Sequence, residues 1–232
     1  MPENVHAGHR DRFRERFLQQ NGRDMQPHEL LELLLYYAVP RKDTNPMAHE
    51  LLRAFGGSVS AVFDAPVQRL EEVPGITHNA AVLIKLVPVL AKTYLTDKSD
   101  IGTTLQSAEE YGRYFLPQYI GSVNEEVHVI CLDNKYRMIQ AQRVYEGKVN
   151  AVEISIHKIV EFALLNKASG IVIAHNHPNG IAIPSSADIE TTMKLAETLS
   201  VFHIKLLDHI IVAGDDFVSL AESGILASYL NR

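Results

Sequence analysis

Apolar residues recur three and four apart through the first hundred positions, then give way to short β-branched runs between helical patterns. Gly8 to Gln20 sets Phe13 and Phe17 one turn apart, with Arg10, Arg12, Arg14 and Arg16 around them; this reads as a short amphipathic helix with a basic face. Pro27 to Ala38 (PHELLELLLYYA) is apolar nearly all round and predicts a buried helix. After the break at Val39–Asp43, Thr44-Asn45-Pro46 reads as an N-cap followed by a first-turn proline, opening a helix to Phe55 that Gly56-Gly57 stops. Short helices follow over Val59–Asp64 and Gln68–Val73. A longer one runs from Asn79 to Tyr94 with Pro88 inside it, where a kink is expected. This part is all-α with short connections.

Thr96 to Thr104 (TDKSDIGTT) is polar and without period, and reads as a linker between a helical domain, residues 1–100, and a second domain, residues 104–232. Beyond it the period changes repeatedly. Ser107 caps a helix to Leu116. Glu126–Leu132 and Met138–Tyr145 form a hairpin across the turn Asp133-Asn134-Lys135. Ile154–Asn166 has apolar residues at helical spacing, Gly170–Ala174 is a buried strand, and Ser185 opens a helix to Leu199. His203–Ala213 and Phe217–Leu220 are the last strands. The expected architecture is an α/β sandwich: a mixed sheet with helices, preceded by the small all-α domain.

Composition narrows the class. In 232 residues there is one cysteine, Cys131, which excludes an internal disulfide framework and a cysteine-based zinc site and fits a reducing cytoplasm. The start, Met1-Pro2-Glu3-Asn4, has no apolar core of a signal peptide, and no uncharged apolar run approaches the ~20 residues of a membrane span. The net charge is −6; the first hundred residues carry 12 basic against 13 acidic side chains and the rest 10 against 15. The second domain therefore lacks the basic surplus of a nucleic-acid enzyme.

The chemistry concentrates in His175-Asn176-His177-Pro178-Asn179-Gly180-Ile181-Ala182-Ile183-Pro184-Ser185-Ser186-Ala187-Asp188. Two histidines at i and i+2 at a strand's end point to one face, and an aspartate arrives in the first turn of the next helix. Three N/O ligands with a fourth position open is what a catalytic zinc requires. An H-x-H pair alone is a weak signal, and Ser185 with Asp188 is also a plain helix start, N-cap and N3. The full pattern, H-x-H, seven residues, then S-x-x-D, favours metal.

These residues carry a resemblance. Thr104 to Leu226 resembles the RadC branch (UPF0758-like) of the JAB/MPN domain, a cytidine-deaminase-like α/β fold, and HNHPNG…PSSAD is that branch's form of the JAMM zinc metalloprotease motif. Leu132-Asp133, Gly147 with Asn150, and Leu207-Asp208-His209-Ile210-Ile211 match as well, as do Glu29–Leu34 and Pro40–Asp43 in the helical part. The resemblance implies Zn2+ on His175, His177 and Asp188 with water as fourth ligand, Ser185 helping to hold an oxyanion, and an upstream glutamate as general base. Spacing in the family selects Glu125, with Glu126 as fallback and Glu153 as a remote third. Glu125 and Glu126 point to opposite faces of an extended strand, so only one reaches the metal. His209 and Asp208 read equally well as supports for a ligand and as buried, hydrogen-bonded core groups. Two departures from the family, Asn179 in place of serine and Ile156-His157-Lys158 in place of Pro-Arg-Glu, touch no ligand, though the second removes charges near the presumed site.

The implied activity is hydrolysis of a peptide, isopeptide or related amide bond by metal-activated water, on a peptide or protein substrate. An alternative is a DNA-associated repair or recombination module in which the JAB domain is accessory. Leu70–Ala80 resembles a helix-hairpin-helix element, whose backbone N–H groups meet nucleic-acid phosphate, although Thr77 stands where the hairpin usually has its second glycine and basic residues just after it are absent. A third reading is a metal-binding scaffold without turnover, which the intact ligand set disfavours.

Overall fold

The computed structural model describes residues 8–97, 102–147, 152–178 and 180–230. By internal contacts the chain divides into Met1–Ala91 and Lys92–Arg232. In the first unit α1 (His9–Gln20), α2 (Pro27–Leu35), α3 (Asn45–Ala54), α4 (Val59–Asp64), α5 (Val67–Glu71) and the start of α6 (His78–Asp97) enclose a core built on Leu31, Leu35, Leu51, Leu70 and Ile84. Two local features depart from the sequence pattern. Glu32 interrupts the apolar run of α2 yet is only 2% exposed; its carboxylate accepts hydrogen bonds from Tyr36 Oη (2.6 Å) and Asn45 Nδ2 (2.7 Å). Thr44 precedes α3 as expected, but its backbone is helical (φ −98°, ψ −6°) rather than extended, and its hydroxyl donates to the Glu32 carbonyl instead of capping.

The second unit holds one five-stranded sheet in the order β2-β1-β3-β4-β5, with β1 (Glu125–Leu132), β2 (Met138–Gly147), β3 (Gly170–Asn176), β4 (Lys205–Ala213) and β5 (Asp216–Ser219). Only β3 and β4 pair in parallel, so the sheet is mixed. One face packs Val129, Cys131, Ile171 and Ile173 against α8 (Val152–Leu165) and α9 (Ser186–Val201). The other packs Ile130, Leu132, Val172 and Ile210 against α7 (Ala108–Phe115) and the 3-10 turn Leu116–Tyr119. Alternate residues of each strand thus feed two cores, which is why β3 is buried along its whole length. Helix α7 opens with a capping box between Ser107 and Glu110. Its Gly112 lies under the Phe217 ring so closely that a Cβ there would stand 2.4 Å from it.

The expected linker is shorter than its polar composition suggests. Helix α6 runs to Asp97, residues 98–101 lie outside the described residues, and Gly102 to Leu105 already pair with the hairpin: Gly102 N–H donates to the Met138 carbonyl, Met138 N–H to Thr103, and Leu105 N–H to Tyr136. These are backbone bonds, which leave no side-chain period to read. A further helix, α10 (Ile225–Leu230), follows β5 and buries Leu226. No helix among the described residues is long and apolar enough to cross a membrane.

Candidate metal centre

The alternation that sends Ile171 and Ile173 toward α8 and α9 also sends His175 there, at the end of β3, and His177 follows just beyond the strand. Helix α9 returns over this face with a buried stripe of Thr192, Leu195 and Leu199; Asp188 lies one turn before Thr192, in the first turn of the helix. His175, His177 and Asp188 are thereby brought together, with one ligand-type atom of each within 4.8 Å of the others. His175 Nε2 is 2.9 Å from His177 Nε2 and 3.3 Å from Asp188 Oδ1, and His177 Nε2 is 3.6 Å from Asp188 Oδ2. Ligand atoms on one tetrahedral zinc, at Zn–N of about 2.05 Å, stand about 3.3 Å apart, so these separations fit one ion.

The donor chemistry fits as well. His177 Nδ1 lies 2.9 Å from the Ile181 carbonyl, an acceptor only, so Nδ1 carries the proton and Nε2 offers a lone pair to the centre. Two hydrogen bonds from Ser185 to Asp188 Oδ2 favour the ionised form of this carboxylate. Asp188 is thus an anionic acceptor at neutral pH. Ser185 is the N-cap of α9: its Oγ accepts Asp188 N–H (3.2 Å) and donates to Asp188 Oδ2 (2.6 Å), and its own N–H donates to the same oxygen (2.8 Å). Ser185 is thus a helix cap at the rim of the cluster. Gly180 closes the loop over His177, where a Cβ would come within 3.1 Å of the His177 Cβ. Asn179 lies outside the described residues.

The two glutamates separate cleanly. Val127 of β1 pairs with His175 of β3, so Val127 and Glu125, two residues earlier, share the histidine's face. Glu126 falls on the opposite face, 5% exposed, and both its oxygens are engaged: Oε1 accepts from Ser122 Oγ (2.7 Å), and Oε2 meets His128 Nε2 (3.0 Å) and Arg143 Nη1 (3.4 Å). Burial raises the Glu126 pKa, but the hydrogen bonds from His128 and Ser122 outweigh it and bring it down to about 2. The adjoining Asn176 ties the strands, accepting Glu126 N–H (2.7 Å) and donating to the Asn124 carbonyl (3.0 Å). The Glu153 side chain and Asn150 lie outside the described residues.

Of the pair left open on β4, His209 joins the cluster and Asp208 does not. Asp208 accepts from Ser219 Oγ (2.6 Å) and from the N–H of Ala221 (3.0 Å), anchoring the chain after β5. His209 Nε2 lies 2.8 Å from His175 Nδ1, and His209 Nδ1 lies 2.6 Å from Thr192 Oγ1. A bulge puts it there: Ile171 pairs with Leu206 but Val172 with Asp208, so one extra residue of β4 reverses its alternation. Thr192 is fully buried and drew no notice in the sequence, where a threonine inside a helix carries no motif.

In the helical unit three of the four arginines of α1 have partners within the unit. Arg10 donates to the carbonyls of Tyr36 (3.3 Å), Val39 (2.9 Å) and Lys42 (2.6 Å), Arg16 pairs with Glu29, and Arg14 pairs with Asp11. The hairpin between α5 and α6 turns at Gly75 (φ +87°), and His78, the first residue of α6, is paired with Glu71 at 2.6 Å.

The mixed sheet with helices on both faces is consistent with the family that sequence comparison identifies. The chain matches the RadC-like JAB domain family over residues 105–225 and the UPF0758 N-terminal family over residues 6–82. It belongs to the RadC-like JAB-domain family. Among its relatives, a UPF0758 protein of Cupriavidus taiwanensis is 33% identical over 214 residues, spanning 92% of this chain and 93% of that protein. A UPF0758 protein of Fusobacterium nucleatum is 32% identical over 233 residues, spanning 97% of this chain and all of the relative.

Proposed function

We propose that the protein is a zinc-dependent hydrolase of the JAMM type that cleaves a peptide, isopeptide or related amide bond. The observation that carries the proposal is the convergence of His175 Nε2, His177 Nε2 and Asp188 Oδ1 at separations of 2.9 and 3.3 Å, with the other ring nitrogen of each histidine engaged elsewhere. His175, His177 and Asp188 hold the metal. When bound, zinc supplies a water acidic enough to ionise near pH 7 and a Lewis acid for the substrate carbonyl. Glu125, half-buried on the His175 face, takes the proton of the attacking water and passes it to the departing amine. Ser185 Oγ, now donating to Asp188, turns its hydrogen to the oxygen that becomes negative in the tetrahedral intermediate.

The test is a cleavage screen of the full chain against peptide and isopeptide-linked substrates, with and without chelator. Amide cleavage that chelation abolishes and zinc restores is the expected result. Cleavage unaffected by complete removal of metal contradicts the proposal.

A further inference from the structure

The hydrogen-bonded chain behind His175 crosses three elements and returns to the cluster. It runs from His175 on β3 to His209 on β4, to Thr192 on α9, and from Thr192 back to Asp188 one turn earlier. We propose that Thr192 and His209 are positioning residues that fix the tautomer of His175, leaving its Nε2 lone pair, and not an N–H, facing the centre.

The direction of the chain follows from its end. The Asp188 carbonyl has no hydrogen, so the Thr192 hydroxyl spends its single hydrogen on it, at 2.6 Å. Thr192 Oγ1 then accepts from His209, so His209 Nδ1 is protonated, at 2.6 Å. A neutral imidazole protonated at Nδ1 has a lone pair at Nε2, and that lone pair accepts the proton of His175 Nδ1 at 2.8 Å. His175 Nε2 is left free for a cation. Were the chain to run the other way, His175 would present Nε2–H toward the centre and bind no metal.

Burial makes the arrangement rigid. Thr192 is fully buried and His209 is 4% exposed, so no bulk water offers either ring nitrogen of His209 another partner. The β4 bulge is the backbone device that delivers His209 to this face. The same hydroxyl that orients His175 also grips the backbone of Asp188, so one buried threonine sets two of the three ligands relative to each other.

The inference rests on the metal reading for its purpose, but its test does not depend on turnover. In the metal-free protein at pH 9, two-bond 1H–15N spectra of the histidine rings report which nitrogen of His175 carries the proton, and Zn2+ titration reports affinity. The expected result is Nδ1–H in the wild type. Thr192→Val, folded by thermal melt, is expected to lose this preference and bind Zn2+ about 10–100-fold more weakly, and Thr192→Ser to restore both. Nε2–H in the wild type, or equal Zn2+ affinity in wild type and Thr192→Val, overturns the proposal. If Thr192→Val does not fold, the wild-type tautomer decides alone. Failure of the wild type to bind Zn2+ overturns the metal reading instead, and the tautomer still tests the chain.

Discussion

Val127 on β1 stands directly across from His175 on β3, and that one pairing assigns two adjacent glutamates to opposite sides of the sheet. Glu125 shares the histidine face, while Glu126 joins a buried polar network beneath the sheet's other core. The two glutamine substitutions therefore have different consequences. Glu125→Gln is expected to lower kcat/KM by about 10²–10⁴-fold while leaving zinc stoichiometry and melting temperature unchanged. Glu126→Gln is expected to cost about 1–3 kcal/mol of stability by loosening buried hydrogen bonds, with kcat/KM retained at a temperature where the variant is folded. Parallel kinetics and urea unfolding on the two variants check this.

The same network sets a pH dependence of folding. His128 faces Glu126, Tyr119, Arg143 and Lys92, and burial lowers its pKa from 6.5, so the fold prefers it neutral. Stability from this group is complete above pH 6.5 and declines as pH falls below it. Glu126, lowered from 4.5 to about 2, contributes stability above pH 4.5 that is lost progressively as pH falls toward 2. The difference in urea midpoint between wild type and Glu126→Gln is expected to be constant above pH 4.5 and to shrink as pH falls toward 2.

Gly112 of α7 leaves no room for a side chain beneath the Phe217 ring of β5. Gly112→Ala adds a methyl where the ring already lies, and is expected to destabilise by about 1–3 kcal/mol. Combining it with Phe217→Leu, which opens the space, is expected to recover part of that loss. Equal and additive losses in the double variant contradict the assignment of the strain to this contact.

Arg10 discriminates between a structural and a nucleic-acid role for the helical unit. Its guanidinium closes the chain after α2 through three carbonyls. Arg10→Ala is expected to lower stability by about 1–2 kcal/mol and to leave any DNA affinity of the full chain unchanged. DNA binding that weakens steeply with salt, and further in Arg10→Ala, contradicts a purely structural role for this arginine.

Much of this architecture was open to reading from residues alone, because it rests on local period. The hairpin Glu125–Gly147, the strand into His175 and the capped start of α9 all follow from alternation, turn residues and capping. The cluster of His175, His177 and Asp188 was legible because all three lie within fourteen residues of one another in sequence. What was not legible depends on long-range register. Alternation separates Glu125 from Glu126, but only the pairing of Val127 with His175 says which of them faces the histidines. His209 and Thr192 are invisible as partners because a bulge, with no sequence signature of its own, turns His209 inward. Glu32 was hidden for a similar reason: its partners Tyr36 and Asn45 lie on and beyond its own helix, so a carboxylate sits in a core the apolar pattern assigns to leucines.

The account stands on His175, His177 and Asp188 acting together on one ion. Metal content of the purified full chain, equilibrated with Zn2+ and measured beside His177→Ala, tests this most directly. One zinc per wild-type chain, absent from a folded His177→Ala, is the predicted result; a wild type that takes up no zinc, or a variant that holds as much, contradicts it.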